Sequence, residues 1–185
     1  MINNKKKTTK IVFSAMFLAI AYVLPFLTGQ IPDIGNALLP MHLPVILCGY
    51  ICGAPWGLIV GITAPLLRSL TIGMPVLFPR AIAMAFELGA YGFFTGLTYR
   101  LMPKKKVFVY VSLITSMLAG RLIWGLAQFT LLGFNTSKFT LTYFLTEAVV
   151  LAIPGIVIQI ALVPVIIMLI DYKRKGKCEN TQTEC

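Results

Sequence analysis

The feature that most constrains this chain is a long uncharged stretch from Ile34 to Leu67, which contains no Asp, Glu, Lys or Arg. Gly53-Ala54-Pro55 lies near its midpoint, and Gly and Pro next to each other favour a turn. A helix needs about 20 apolar residues to cross a hydrocarbon core. The sequence therefore predicts a hairpin of two short helices inside a membrane, over Leu39 to Arg68.

Composition extends this prediction to the whole chain. Hydrophobic residues make up 58% of the 185 positions, charged residues only 12%, and the mean hydropathy is +0.86. The charges gather in a few clusters beside apolar segments, a pattern typical of membrane proteins. We therefore predict an all-α integral membrane protein. The net charge of +10 then comes from basic clusters that set the orientation of the chain in the membrane. Membrane lipid is therefore an expected partner and nucleic acid is not.

The apolar segments predict six transmembrane helices. Residues 1–10 form a basic head, residues 11–172 a six-helix membrane domain, and residues 173–185 a polar tail that we expect to be disordered. Turn-forming residues place loops at Thr28 to Leu39 and Ser69 to Pro79. The six predicted segments are Ile11 to Leu27, the two arms of the hairpin, Arg80 to Met102, Val107 to Phe134, and Tyr143 to Asp171.

The basic residues predict which way the chain crosses the membrane. Twelve of the 16 Lys and Arg residues lie in the head, around residues 100–106, or in the tail. With six spans, all three clusters fall on one face. The positive-inside rule makes that face cytoplasmic, so both termini are predicted to be cytoplasmic and the loops after the first and third segments extracellular.

Polar side chains within the apolar segments are the candidates for function, since a charge at a helix centre costs about 2.5–3.5 kcal/mol even on the mildest scale. On the fifth segment, Trp124 and Gln128 lie on the face of Arg121, at i+3 and i+7. These residues predict a pocket for a polar, partly flat molecule in the outer half of the bundle. The full set of predicted binding residues is Arg121, Trp124, Gln128, Glu147, Glu87, Arg68, His42 and Asn36.

Structural roles are the alternative for the same residues. Arg121 would then pair with Glu87 or Glu147 as an ion pair, Arg68 would extend its charged end to water, and Trp124 would be a core aromatic. Two cysteines, Cys48 and Cys52, lie at i, i+4 on one helix face and are candidate metal ligands, but no His or acidic residue lies near them at ligand spacing, so packing is favoured over metal binding.

Catalysis and independent transport are both disfavoured. The sequence has no phosphate-binding loop, no HExxH motif and a single histidine, so neither ATP hydrolysis nor metal-dependent hydrolysis is predicted, and no cofactor or metal site is expected. The first and last three segments show no convincing repeat, although secondary carriers are commonly built from inverted repeats. A pocket without a source of energy indicates a subunit of a larger transporter.

Two sequence patterns point to a known family. Two motifs, Ala15-Met16-Phe17-Leu18-Ala19 in the first segment and PMHLPVILCGYICGAPWGLIVGITAPLLRSL over residues 40–70, occur in a chain with six predicted spans. Together they resemble the substrate-binding S components of energy-coupling factor (ECF) vitamin transporters. The resemblance implies capture of a vitamin at the outer face of a bacterial cell membrane. It also implies a membrane coupling subunit and two ATPase subunits as partners, with Ala15 and Ala19 docking on the coupling subunit.

The identity of the vitamin is predicted from the balance of charged residues in the outer half of the bundle. Three arginines against two glutamates in the outer half favour an anionic ligand, so pantothenate or a similar vitamin precursor ranks slightly first. A riboflavin-like or pyridoxine-like ring would depend more on stacking against Trp124 and Tyr50. The alternative outside this class is a membrane scaffold or assembly subunit that binds no ligand.

Overall fold

The computed structural model describes residues 2–28, 40–102, 106–132 and 153–182, and most of these residues are helical. A short 3-10 turn, Leu24–Thr28, follows the first helix, and a π-helical turn, Leu77–Ala81, precedes the fourth. The described residues contain no β-strand, and the predicted all-α class is confirmed. The helices are α1 (Ile2–Val23), α2 (His42–Cys52), α3 (Ala54–Ile72), α4 (Ile82–Leu101), α5 (Lys106–Leu132) and α6 (Ile153–Gln182).

Five of these helices are long and apolar enough to cross a membrane, judged by length and composition over the described residues: α1, α3, α4, α5 and α6. The sixth, α2, is apolar but has 11 residues. At a rise of about 1.5 Å per residue it covers about 16 Å, or half of a hydrocarbon core. The membrane class is confirmed, and the first arm of the predicted hairpin is short as expected.

The second arm of the hairpin is longer than predicted. Helix α3 continues past Arg68 to Ile72, so the loop expected to begin at Ser69 begins only at Gly73. Pro55 lies in the first turn of α3, where its missing N–H leaves no helical bond unmade. Gly73 adopts φ 77°, a left-handed conformation that suits glycine, and its N–H bonds to the carbonyl of Ser69. The helix therefore ends at its glycine cap and not at its arginine.

The two ends of the chain are also more helical than predicted. Helix α1 begins at Ile2 and includes the basic head, while α6 continues to Gln182 through most of the tail that we expected to be disordered. Lys, Arg, Glu and Gln have favourable helix propensities, and extending an existing helix needs no new nucleation. The start of the sixth segment near Tyr143 lies outside the described residues.

Glycines bring the α2–α3 hairpin against α4. A Cβ atom added to Gly92 on α4 would collide with the backbone of Gly57 on α3, and one added to Gly61 would collide with the backbone around Leu88. Gly49 on α2 lies equally close to Gly92. Small residues therefore let these three helices approach at backbone distance.

Helix α1 packs on α2 and α3 through one face only. Ser14, Phe17 and Ala21, spaced at i, i+3 and i+7, are buried on that face. Ala15 and Ala19 are exposed, among apolar neighbours that the described part of the chain leaves uncovered. The first helix therefore presents an uncovered apolar face that includes the small residues Ala15 and Ala19.

Arg68 joins the end of α1 to α3. Its Nη1 donates a hydrogen bond of 3.0 Å to the carbonyl oxygen of Tyr22, and its guanidinium carbon lies 4.8 Å from the ring centroid of Phe26. The hydroxyl of Tyr22 lies 3.0 Å from that of Thr71 on α3. Pro25 has no N–H to bond a carbonyl one turn earlier, so the last turn of α1 needs such an outside donor. Arg68 is 3% exposed and does not extend to water.

Replacing Arg68 by methionine is expected to lower the stability of the bundle. The change keeps the apolar stem but removes a hydrogen bond from a charged donor, worth about 1.5–3 kcal/mol, and a cation–π contact. Thermal unfolding in detergent measures the loss, with Arg100→Met at the exposed end of α4 as the control. Equal unfolding temperatures for the two variants would contradict this role.

Candidate functional site

A buried carboxylate joins three helices near the start of α4. Glu87 is 2% exposed, and its Oε1 accepts hydrogen bonds from the hydroxyl of Tyr91 at 3.0 Å and from Nη1 of Arg121 on α5 at 2.8 Å. The Nε2 of His42, the first residue of α2, lies 3.5 Å from the same oxygen. We refer to His42, Glu87, Tyr91 and Arg121 as the Glu87 cluster.

Local packing places the members of this cluster. Gly120 precedes Arg121 on α5, and a Cβ atom there would collide with the ring of Tyr91, so the absence of a side chain lets that ring lie against α5. The ring centroids of His42 and Tyr91 are 5.1 Å apart. Since a buried ion pair must recover the cost of desolvation through close geometry and added hydrogen bonds, the Tyr91 hydroxyl also stabilises the pair.

Several buried polar atoms of this region lack a hydrogen-bond partner among the described residues. They include Nε and Nη2 of Arg121, both ring nitrogens of His42, and Oε1 of Gln128. Leaving a buried polar atom unpaired costs about 1–3 kcal/mol, so such atoms mark a place for a polar partner. Nε and Nη2 form one edge of the guanidinium, which matches a carboxylate through two parallel hydrogen bonds.

Gln128 and Trp124 extend the site along α5. Gln128 lies two turns beyond Arg121 and is 4% exposed. Trp124 is 7% exposed and packs with Ala83, Ala127 and Leu131 in a small apolar cluster between the fourth and fifth segments. These contacts agree with the structural alternative for Trp124, although its position one turn from Arg121 keeps it beside the Glu87 cluster.

A second glutamine on α6 was missed by the sequence analysis. Gln159 is 1% exposed, and neither atom of its amide has a hydrogen-bond partner within the described ranges. It is uncharged, so a search for intramembrane charges passes over it. The available signal was its isolation, because every other residue from Ile153 to Ile170 is apolar, glycine or proline.

The structure thus brings together part of the predicted site. His42, Glu87 and Arg121 meet directly, with Glu87 as the described ion-pair partner of Arg121. Arg68 is bonded to the end of α1 instead. The predicted binding residues Asn36 and Glu147 lie outside the described residues.

The described helices form an apolar bundle of membrane length that encloses a buried polar cluster, and ionisable residues in such a position are typical of functional membrane proteins. Residues 9–167 match the family described as "ECF transporter, substrate-specific component", and the chain therefore belongs to that family. No curated protein and no solved structure gives a significant match to the chain.

Family membership establishes the broad function. The chain is a multi-pass cell-membrane protein and the substrate-capturing subunit of an ECF transporter, not an enzyme. It works with the coupling and ATPase module of that transporter. The family predicted by resemblance is confirmed.

Proposed function

We propose that this S component captures a carboxylate-bearing vitamin or vitamin precursor at the outer face of the membrane, with pantothenate as the first candidate. One observation carries the proposal. Arg121 uses Nη1 to bind Glu87, while its Nε and Nη2 have no partner among the described residues and its side chain is 15% exposed. A ligand carboxylate would accept the hydrogen bonds that Nε and Nη2 can donate.

The Glu87 cluster suits such a role because it holds Arg121 in place before a ligand arrives. Glu87 fixes one nitrogen of the guanidinium, and Tyr91 fixes Glu87. A donor that is already oriented loses little conformational freedom on binding, and preorganisation of this kind improves affinity. Burial strengthens each hydrogen bond because the local dielectric is low.

The remaining unpaired groups would contact uncharged parts of the ligand. Oε1 of Gln128 accepts a hydrogen bond, and the amide of Gln159 can donate and accept, which suits the hydroxyl and amide groups of pantothenate. A riboflavin-like or pyridoxine-like ring is the next candidate. It would stack on aromatic side chains, but Trp124 is already packed against Ala83 and Ala127, so the geometry favours the carboxylate.

The proposal includes the orientation of the chain in the membrane and the surface that contacts the coupling subunit. The basic clusters favour cytoplasmic termini, so the starts of α2 and α4, where His42 and Glu87 lie, are at the outer end.

The exposed Ala15 and Ala19 form the surface that docks on the membrane coupling subunit, which works with two ATPase subunits. Their exposure and the apolar residues around them support this assignment.

Binding to a ligand panel tests the proposed substrate. The purified chain is heated in detergent with pantothenate, with pantothenol (the same molecule with an alcohol in place of the carboxylate), with riboflavin and with pyridoxine. We expect pantothenate to raise the unfolding temperature most and pantothenol much less. Stabilisation by riboflavin or pyridoxine alone would replace the carboxylate assignment, and no stabilisation, with no small molecule co-purifying by mass spectrometry, would favour the ligand-free scaffold.

A further inference from the structure

Glu87 binds Arg121 through a single nitrogen. An arginine and a carboxylate frequently pair through two parallel hydrogen bonds, either at the edge formed by Nε and Nη2 or at the edge formed by Nη1 and Nη2. Here Nη1 donates to Oε1 of Glu87 at 2.8 Å, while Nε and Nη2 have no hydrogen-bond partner among the described residues. The buried ion pair is therefore held short of the two-bond arrangement that its chemistry favours.

The hydroxyl of Tyr91 restrains Glu87 in this arrangement. Tyr91 lies one turn after Glu87 on α4, and its hydroxyl donates to Oε1, the same oxygen that Arg121 contacts, at 3.0 Å. Turning the carboxylate or the guanidinium to form a second bond would disturb this shared contact. The Tyr91 hydroxyl thus opposes a closer pairing of Glu87 with Arg121.

Gly120 fixes the ring that carries this hydroxyl. Tyr91 is 1% exposed, and a Cβ atom on Gly120 would collide with Cε1 and Cδ1 of its ring. The ring of His42 on α2 lies 5.1 Å from the Tyr91 ring, measured between centroids. A buried ring packed in this way against α5 and α2 has little freedom, so its hydroxyl stays directed at Glu87.

We propose that Tyr91 is a positioning residue of the binding site, whose hydroxyl holds Glu87 on Nη1 of Arg121 and keeps the Nε–Nη2 edge open for a ligand carboxylate. The inference rests on the proposed function, namely that a carboxylate binds this edge. Without the hydroxyl, Glu87 gains a second charge-assisted hydrogen bond by closing on Arg121. The ligand must then reopen the pair, and its apparent affinity falls in proportion to the fraction of chains that remain open.

Titration calorimetry and thermal unfolding of the full chain in detergent together test the proposal. We expect Tyr91→Phe to weaken pantothenate binding by about tenfold, the loss that results when about nine chains in ten hold the closed pair. The unliganded variant should unfold at about the same temperature as the unmodified chain, because the second Glu87–Arg121 bond replaces the one lost. Tyr110→Phe on α5, whose ring is 38% exposed, is the matched control and should change neither measurement.

A second background separates positioning from direct contact with the ligand. The amide of Glu87→Gln is uncharged and competes poorly with a carboxylate for Arg121. Adding Tyr91→Phe to Glu87→Gln should therefore change the affinity for pantothenate little, although the same change costs about tenfold when Glu87 is present.

Each outcome separates this proposal from the one on which it rests. Unchanged affinity in Tyr91→Phe overturns the positioning role and leaves the proposed substrate in place. A loss of affinity that comes with a lower unfolding temperature, or that persists with Glu87→Gln, assigns Tyr91 to packing or to ligand contact and also overturns it. Failure of the unmodified chain to bind pantothenate overturns both proposals. The two measurements on Tyr91→Phe decide the matter even if Glu87→Gln, which leaves Arg121 without its counter-ion, does not fold.

Discussion

Replacing Arg121 by lysine is expected to weaken pantothenate binding by about 30- to 100-fold while the protein stays folded. Lysine keeps a positive charge beside Glu87 but lacks the planar edge that binds a carboxylate through two hydrogen bonds. Loss of such charge-assisted bonds costs about 2–3 kcal/mol, and each 1.4 kcal/mol is about a tenfold change in affinity. The dissociation constant from titration calorimetry measures the effect.

The choice of lysine separates binding from folding. Arg121→Gln would leave Glu87 buried without its counter-ion, a change that costs about 3–5 kcal/mol in stability and confounds a binding assay. Arg100→Lys at the exposed end of α4 is the matched control and should bind as the unmodified chain does. If Arg121→Lys kept full affinity, Arg121 would serve only as the partner of Glu87, and its free edge would have no role in capture.

Most of the fold could be predicted from the sequence because a membrane leaves few alternatives. Backbone groups in hydrocarbon must bond within the segment, so an apolar run of membrane length becomes a helix. Glycines within residues 49–61 let the helices pack closely, and α4 supplies the facing glycine at Gly92. The predicted ends of α3 and α6 were wrong because polar residues do not by themselves end a helix. Gly73 ends α3 through its conformation, and the polar tail continues α6 through helix propensity.

The site was harder to predict than the fold because side-chain pairing depends on the rotation of each helix. The sequence identified His42, Glu87 and Arg121 as polar residues in the outer half, but not that all three meet at one oxygen atom. Arg68 shows the opposite case. Its charge resembled that of a ligand-binding residue, yet it donates to the carbonyl oxygen of Tyr22 near Pro25, a contact that forms only when α1 and α3 pack together.

Introducing tryptophan at Ala15 is expected to block uptake by the assembled transporter without changing ligand affinity. Ala15 and Ala19 lie on the exposed face of α1, whereas Ser14 and Phe17 hold the helix against the bundle. A bulky side chain at a small-residue surface keeps a partner helix from approaching closely. We therefore expect uptake in vesicles containing the complete transporter to fall by about tenfold or more, with Ala19→Trp behaving in the same way.

The control must add the same bulk to an apolar surface that is not assigned to docking. Leu118 on α5 is 63% exposed, and Leu118→Trp should therefore leave both uptake and pantothenate affinity unchanged. Two measurements on each variant, the dissociation constant of the isolated chain and the uptake rate of the complete transporter, separate capture from coupling. Normal uptake with tryptophan at both Ala15 and Ala19 would contradict the docking surface, and the coupling subunit would then have to contact another exposed apolar helix face. A loss of affinity in the isolated chain would instead show that α1 supports the Glu87 cluster through α2 and α3, the two helices against which its buried face packs.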